Sequence, residues 1–326
     1  MNRERLINTL GPIVAILLAI AAPLLLDSIY WTSVLTMIVI NALMAASLRI
    51  IFLIGEFSLG HVGFMCIGAY TSALLTLKVG LPFGLTLPVA GLLAGLVAFA
   101  LGYPFMRVKG IYFSILTLVA SESIRLLAFN WKNLTGGYEG LIGFPGAGVF
   151  SIPGLGQVDF DGFTEYYFLT LCVVCASLFV LYRLEKSKLG FTWLAIRDAD
   201  KLAGAVGVNV SRYKVIAFSI ACFFGGLGGG LFADFERALA PHPTATFGIM
   251  TTIYLLVYMV VGGKEKFSGP IVGAIVLSLV YELARPVEEY GPMIIGAIAI
   301  AIIKVIPGGI VSIPQKIFSR RPEPLD

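Results

Sequence analysis

The sequence predicts an all-α polytopic membrane protein with about ten transmembrane helices. Three observations predict it. Of the 326 residues, 58% are apolar or aromatic and only 13% are charged, whereas a soluble domain carries about 25% charged residues; mean hydropathy is +0.93. The apolar residues gather in repeated runs of about 17 to 25, the length a helix needs to cross roughly 30 Å of hydrocarbon, and no series of short alternating segments points to a β-barrel. Lys and Arg fall in small clusters between the runs, unevenly on alternate connections, as orientation in a bilayer requires.

The expected spans are 11–28, 31–54, 61–78, 84–106, 111–129, 165–183, 214–236, 246–262, 268–285 and 291–306. The first, GPIVAILLAIAAPLLL, is read as a spanning helix rather than a cleaved leader, because no small-residue cleavage site follows it. Breakers stand at the boundaries: Pro82 and Gly84, Gly110, Gly262 and Gly263, Gly269 and Pro270, Gly291 and Pro292. With the amino terminus inside, 18 Lys and Arg fall inside and 5 outside, which sums to the 23 present. That bias predicts both termini in the cytoplasm. Residues 1–326 then form a single permease-like domain with two long connections, 130–164 outside and 184–213 inside. Long connections tend to carry function.

Several chemistries are excluded by what the chain lacks. A net charge of +4 with no basic, aromatic-laced domain argues against nucleic acid. Cys172 and Cys175 form a Cys-x-x-Cys, but they lie in the apolar run FLTLCVVCASLFVLY, where packing explains them. Only His61 and His242 are present, with no zinc-protease motif or nucleophile elbow, so no metal site or embedded hydrolase is expected. No G-x-x-x-x-G-K-[ST] occurs, so a nucleotide that drives the protein must bind another polypeptide.

The inside connection holds the least expected stretch, WLAIRDADKLAGAVGVNVSRYK, from Trp193 to Lys214. Asp198 is placed to cap a helix over Ala199 to Val206, and Gly207 to end it in a left-handed conformation. A helix of two turns does not persist alone in water. Ala199, Leu202, Ala203 and Val206 fall at i, i+3, i+4 and i+7 and share one face. One reading is an interfacial helix on the inner leaflet, although Ala and Val are weak bilayer anchors. The sharper reading is a helix docked in the groove of a cytoplasmic partner.

These residues also resemble a family. AIRDADKLAGAVGVNVSRYKVIAFSIACFFGGLGGGLFA (Ala195 to Ala233) is similar to the coupling segment and following helix of LivM-type permeases of branched-chain amino acid ABC transporters. The resemblance continues through GEFSLGHVGFMCIGAYTSALL (Gly55 to Leu75), RVKGIYFSILTL (Arg107 to Leu118), LTGGYEGLIGFPG (Leu134 to Gly146), VGGKEKFSGPIVGA (Val261 to Ala274) and PGGI (Pro307 to Ile310). It implies an ABC importer permease fold and an ATP-driven importer subunit for leucine, isoleucine and valine in a bacterial inner membrane. The partners it implies are a LivH-type permease, two ATPase subunits carrying ATP and Mg, and an external amino-acid-binding protein. It also implies that Asp198, Asp200, Lys201, Leu202, Ala203, Val206 and Gly207 receive ATPase motion. Lys201 stands where relatives usually have an apolar residue, and Gly204 where they have an acidic one. That glycine weakens the helix by up to about 1 kcal/mol relative to Ala.

Polar groups within the apolar runs form the remaining candidates. Glu122 and Arg125, and Glu282 and Arg285, are spaced to pair along their own helices. A polar translocation route along the fifth span would use Tyr112, Thr117, Ser121 and Glu122. Five glycines within FFGGLGGGL (Phe223 to Leu231) allow close helix approach. Lys264, Glu265 and Lys266 read as a solvated turn. Rival functions are a urea or short-amide importer of the same architecture, and a stand-alone channel or ion-coupled carrier that works without nucleotide.

Overall fold

The computed structural model describes residues 17–25, 28–152, 156–242, 246–285, 291–306 and 308–313. After a helical stretch at 17–25, the main helices are α1 (Ile29–Leu53), α2 (His61–Leu74, continued by a π turn Leu75–Val79), α3 (Phe83–Phe105), α4 (Ile111–Asn130), α5 (Phe163–Glu185), α6 (Lys188–Ala205), α7 (Val210–Glu236), α8 (Ile249–Gly262), α9 (Ser268–Leu283) and α10 (Gly291–Val305).

Helix α7 is the centre of the bundle and packs on α1, α2 and α3. Its glycines explain how. A Cβ on Gly229 would stand 2.0 Å from the Met65 carbonyl oxygen, and one on Gly68 would stand 2.1 Å from that of Gly226. The α2 and α7 backbones therefore touch, and no larger residue fits at either position. Phe218 of α7 fills the next layer toward the helix start, with the rings of Phe64, Phe105 and Phe113 at 5.4, 6.0 and 6.0 Å in edge-on contacts. Helix α7 begins at Val210, earlier than the apolar run suggests, because the Asn209 side chain accepts a hydrogen bond from the Arg212 amide at 3.1 Å. Lys214 thus lies within the first two turns of the helix rather than at its start, and it is buried.

At the Glu236 end of α7, short strands pack the long connection 130–164. β1 (Leu141–Ile142) pairs with β4 (Ala238–Leu239), and β2 (Val149–Ile152) pairs with β3 (Gly156–Asp159), both antiparallel. Arg237 donates to Asp161 at 2.9 Å across this end. The opposite end carries α6.

The structure corrects the expected number of spans. Among the described residues, six helices are long and apolar enough to cross a membrane: Ile29–Leu53, His61–Val79, Phe83–Phe105, Ile111–Asn130, Phe163–Glu185 and Val210–Glu236. Helices α8, α9 and α10 have 14, 16 and 15 residues. At 1.5 Å per residue they reach only about 21 to 24 Å, short of the roughly 30 Å hydrocarbon core. Of the expected first span, 11–28, the described residues show a helical stretch at 17–25, and 11–16 and 26–27 lie outside them. The cytoplasmic placement of both termini loses its support as well, because it rested on ten alternating crossings, and both ends lie outside the described residues.

The connection 184–213 differs too. Instead of a loop bearing a two-turn helix, residues 188–205 form one helix kinked at Ala199, where φ is −156° and ψ is 81°.

Candidate functional site, a charged platform at one end of the bundle

The platform begins where α1 ends. Glu56, in the GEFSLG turn, is buried, and its two carboxylate oxygens face different elements. Oε1 accepts from the Lys214 ammonium of α7 at 2.7 Å, and Oε2 accepts from the Gly110 amide just before α4 at 2.9 Å. The two side chains are 3% and 6% exposed. Removing one partner from such a buried pair strands a charge at a cost of about 3–5 kcal/mol.

Around this pair lies an outer ring of charges. Lys109 pairs with Asp200 of α6, and its ammonium holds the Asp200 carboxyl below the usual carboxylate range. Arg197 reaches Glu265 at 3.1 Å and lies over the Phe52 ring at 5.3 Å, with Lys264 on the same ring at 5.2 Å. Arg49, buried near the end of α1, donates to both oxygens of Glu185 and to the carbonyls of Lys264 and Glu265 at 2.8 and 2.9 Å. The Lys264–Lys266 turn is therefore tied to α1 and α6 rather than merely solvated. A concavity of about 240 Å³ opens beside these groups, lined by Glu56, Lys109, Arg197, Asp198, Asp200 and Lys214 among others.

Helix α6 is held by its first half. Ser187 caps it, accepting from the Leu189 amide at 3.2 Å. Trp193 is fully buried and donates to the Tyr213 carbonyl at 3.1 Å. Just before the kink, the expected capping role of Asp198 is not what the structure shows. Its side chain is 71% exposed and lies 3.5 Å from Arg197. The stop at Gly207 does form: φ is +91°, Gly207 donates to Gly204 at 3.1 Å and Val208 donates to Ala203 at 3.1 Å, a Schellman motif. The expected apolar face divides. Ala203 packs inward, while Leu202 and Val206, one turn apart, are 65% and 75% exposed. Lys201 is exposed beside them.

The residues singled out on the fifth expected span sit on α4. Thr117 and Ser121 are buried. Thr117 Oγ1 accepts from the Leu59 amide at 3.1 Å, and Ser121 packs against Gly63 of α2. Tyr112 is exposed, and Glu122 is partly exposed. Both intrahelical pairs form: Glu122 with Arg125 at 2.8 Å, and Glu282 with Arg285 at 3.0 Å. Arg125 is also anchored by the Pro241 carbonyl at 2.9 Å.

Two buried groups carried no signal in the sequence. His61 Nε2 lies 2.8 Å from Ser47 Oγ at the start of α2, and Asp234 is buried near the end of α7. Among the described residues, no group of three or more His, Cys, Asp or Glu is placed to hold a metal ion.

Comparison with known proteins gives these features a context. Residues 30–303 match the family model described as branched-chain amino acid transport system / permease component. The high-affinity branched-chain amino acid transport system permease protein LivM of Escherichia coli (strain K12) is 32% identical over 288 residues, 83% of this chain and 67% of that protein. LivM of Salmonella typhimurium is 32% identical over 268 residues, 77% of this chain and 62% of that protein. The guanosine ABC transporter permease protein NupQ of Bacillus subtilis is 30% identical over 188 residues, 55% of this chain and 59% of that protein. No solved structure matches the chain. The apolar helices and these relatives together make it a multi-pass inner-membrane protein. This chain therefore belongs to the branched-chain amino acid transport permease family and is a permease component of an ABC transporter.

Proposed function

We propose that the chain is one permease of an ATP-driven importer for leucine, isoleucine and valine. In this reading it pairs with a LivH-type permease, receives solute from an external binding protein and is driven by two separate ATPase subunits that carry ATP and Mg. Its similarity to two LivM proteins supports the substrate class. The similarity to NupQ, whose name specifies guanosine, makes a nucleoside the second reading, alongside a short amide.

The observation that carries the ATPase coupling is the pair Leu202 and Val206. Two large apolar side chains stand exposed, one turn apart, on a helix end fixed by Trp193, the Asp200–Lys109 ion pair and the Gly207 stop. Such a ridge fits an apolar groove on a cytoplasmic partner. Asp198, Asp200, Lys201 and Gly207 frame it, and Ala203 seats it on the bundle. Closure of the ATPases pushes on this ridge, and the helices repack to open the route inward. Tyr112 and Glu122 line that route in this reading, with Thr117 and Ser121 fixing α4 behind them.

The test is co-purification in mild detergent. Leu202→Asp and Val206→Asp are expected to lose the ATPase subunits while the second permease stays bound. Full recovery of the ATPase subunits with both variants overturns the assignment. Uptake of labelled leucine, competed by valine, guanosine or urea, separates the substrate readings.

A further inference from the structure

We propose that Glu56 and Lys214 are positioning residues that carry displacement of α6 to the start of α4. The proposal rests on the reading of α6 as the ATPase contact. Two ionic links run from the platform and converge on neighbouring residues. Asp200 of α6 holds Lys109, and Lys214, at the foot of α7 beside α6, holds Glu56, whose second oxygen holds the Gly110 amide.

Gly110 is built as a pivot. Its φ of +61° and ψ of −130° lie outside the regions open to side-chain-bearing residues, and no atom comes within 4 Å of where its Cβ would be. The helix that follows is the most peripheral of the six long ones, with 28% of its apolar window buried. It is held along one stripe: Phe113, Thr117, Ser121 and Arg125. A pull at residues 109 and 110 thus rotates or slides α4 more readily than any other spanning helix, and α4 bears the exposed Tyr112 and the partly exposed Glu122. The two ends of the Lys214–Glu56 link are buried, so it is little screened and stiff. The 240 Å³ concavity beside it leaves Arg197 and Asp200 room to move.

The experiment uses the complete transporter, with both permeases, the ATPase subunits and the binding protein, reconstituted in liposomes. Labelled leucine uptake and ATP hydrolysis are measured on the same vesicles. Two variants are compared with the wild type. Lys109→Gln alters a side chain that is 60% exposed. The double variant Glu56→Lys with Lys214→Glu keeps a buried ion pair but leaves no acceptor for the Gly110 amide at position 56.

Both are expected to hydrolyse ATP within about twofold of wild type while uptake per ATP falls about fivefold or more, a coupling loss of ordinary allosteric size. Wild-type uptake per ATP in the double variant overturns the proposal, since the pair would then be only a packing element. A parallel fall of uptake and hydrolysis in both variants also overturns it. Where the double variant does not assemble, Glu56→Gln with Lys214→Met, which removes the ionic link but keeps an acceptor for the Gly110 amide, takes its place, and uptake per ATP at the wild-type level overturns the proposal. An assembled wild-type complex that takes up leucine without ATP dependence is a separate result, which removes the coupling reading itself.

Discussion

The Lys214 ammonium lies 2.7 Å from the Glu56 carboxylate, 158 residues away in the chain, with both side chains out of water. It joins the foot of the central helix to the turn between the first two long helices.

Lys214→Met is expected to destabilise the protein by about 3–5 kcal/mol, because the Glu56 charge is left buried without its partner. Lys214→Met with Glu56→Gln is expected to recover much of that loss, since a neutral amide still accepts from Gly110. Thermal unfolding in detergent measures both, and equal losses in the single and double variants would contradict the pairing.

Trp193→Ala is expected to cost about 3–5 kcal/mol through the cavity it leaves, and to free the Tyr213 carbonyl. Leu202→Asp, on an exposed side chain, is expected to change stability by no more than about 0.5 kcal/mol. Side-by-side melting curves check the contrast. A large loss for Leu202→Asp would mean that this side chain packs inward.

Gly229→Ala places a methyl group 2.0 Å from the Met65 carbonyl oxygen. Such overpacking costs about 1–3 kcal/mol or more, because backbone must shift to relieve it. Gly204→Ala meets only Val210 at 3.9 Å and is expected to stabilise α6 by up to about 1 kcal/mol through helix propensity. Opposite signs of the two shifts in melting temperature are the measurement sought.

Asp200 carries a lowered carboxyl pKa because Lys109 hydrogen-bonds it. The sign follows from linkage. A group whose folded pKa is depressed stabilises fully above its unfolded value, about pH 4, and loses that contribution as the pH falls through the folded value. The Asp200–Lys109 clamp is therefore expected to be intact at neutral pH and to open only in strong acid. The effect on stability is small, since Lys109 is largely in solvent. Lys109→Gln is expected to return the Asp200 titration to the ordinary carboxylate range, as read by NMR of a labelled aspartate. An unshifted titration would show that Lys109 does not hold it.

Much of the molecule was legible because its signals are local. Apolar runs of sufficient length marked the six long helices within a few residues, Gly207 marked the end of α6, and the i, i+3 spacing marked the Glu122–Arg125 pair. The same reading overcounted spans, since apolar content does not distinguish a helix of 14 or 16 residues from one that crosses the bilayer. It also placed Ala203 and Leu202 on one face and made Asp198 a cap. In the structure Ala203 packs inward while its chain neighbour Leu202, about 100° round the helix, is exposed, and Asp198, next to the kink at Ala199, lies in solvent.

By itself, then, the sequence determined the class of the protein, its family and where its long helices run, because hydrophobic length, helix stops and short motifs are properties of contiguous residues. Only the tertiary structure decided which charges meet. Glu56 and Lys214 are 158 residues apart, and Arg49 and Glu185 are 136 apart. Burial draws such distant groups together, since a charge taken out of water must find its opposite wherever the packed helices bring one within reach.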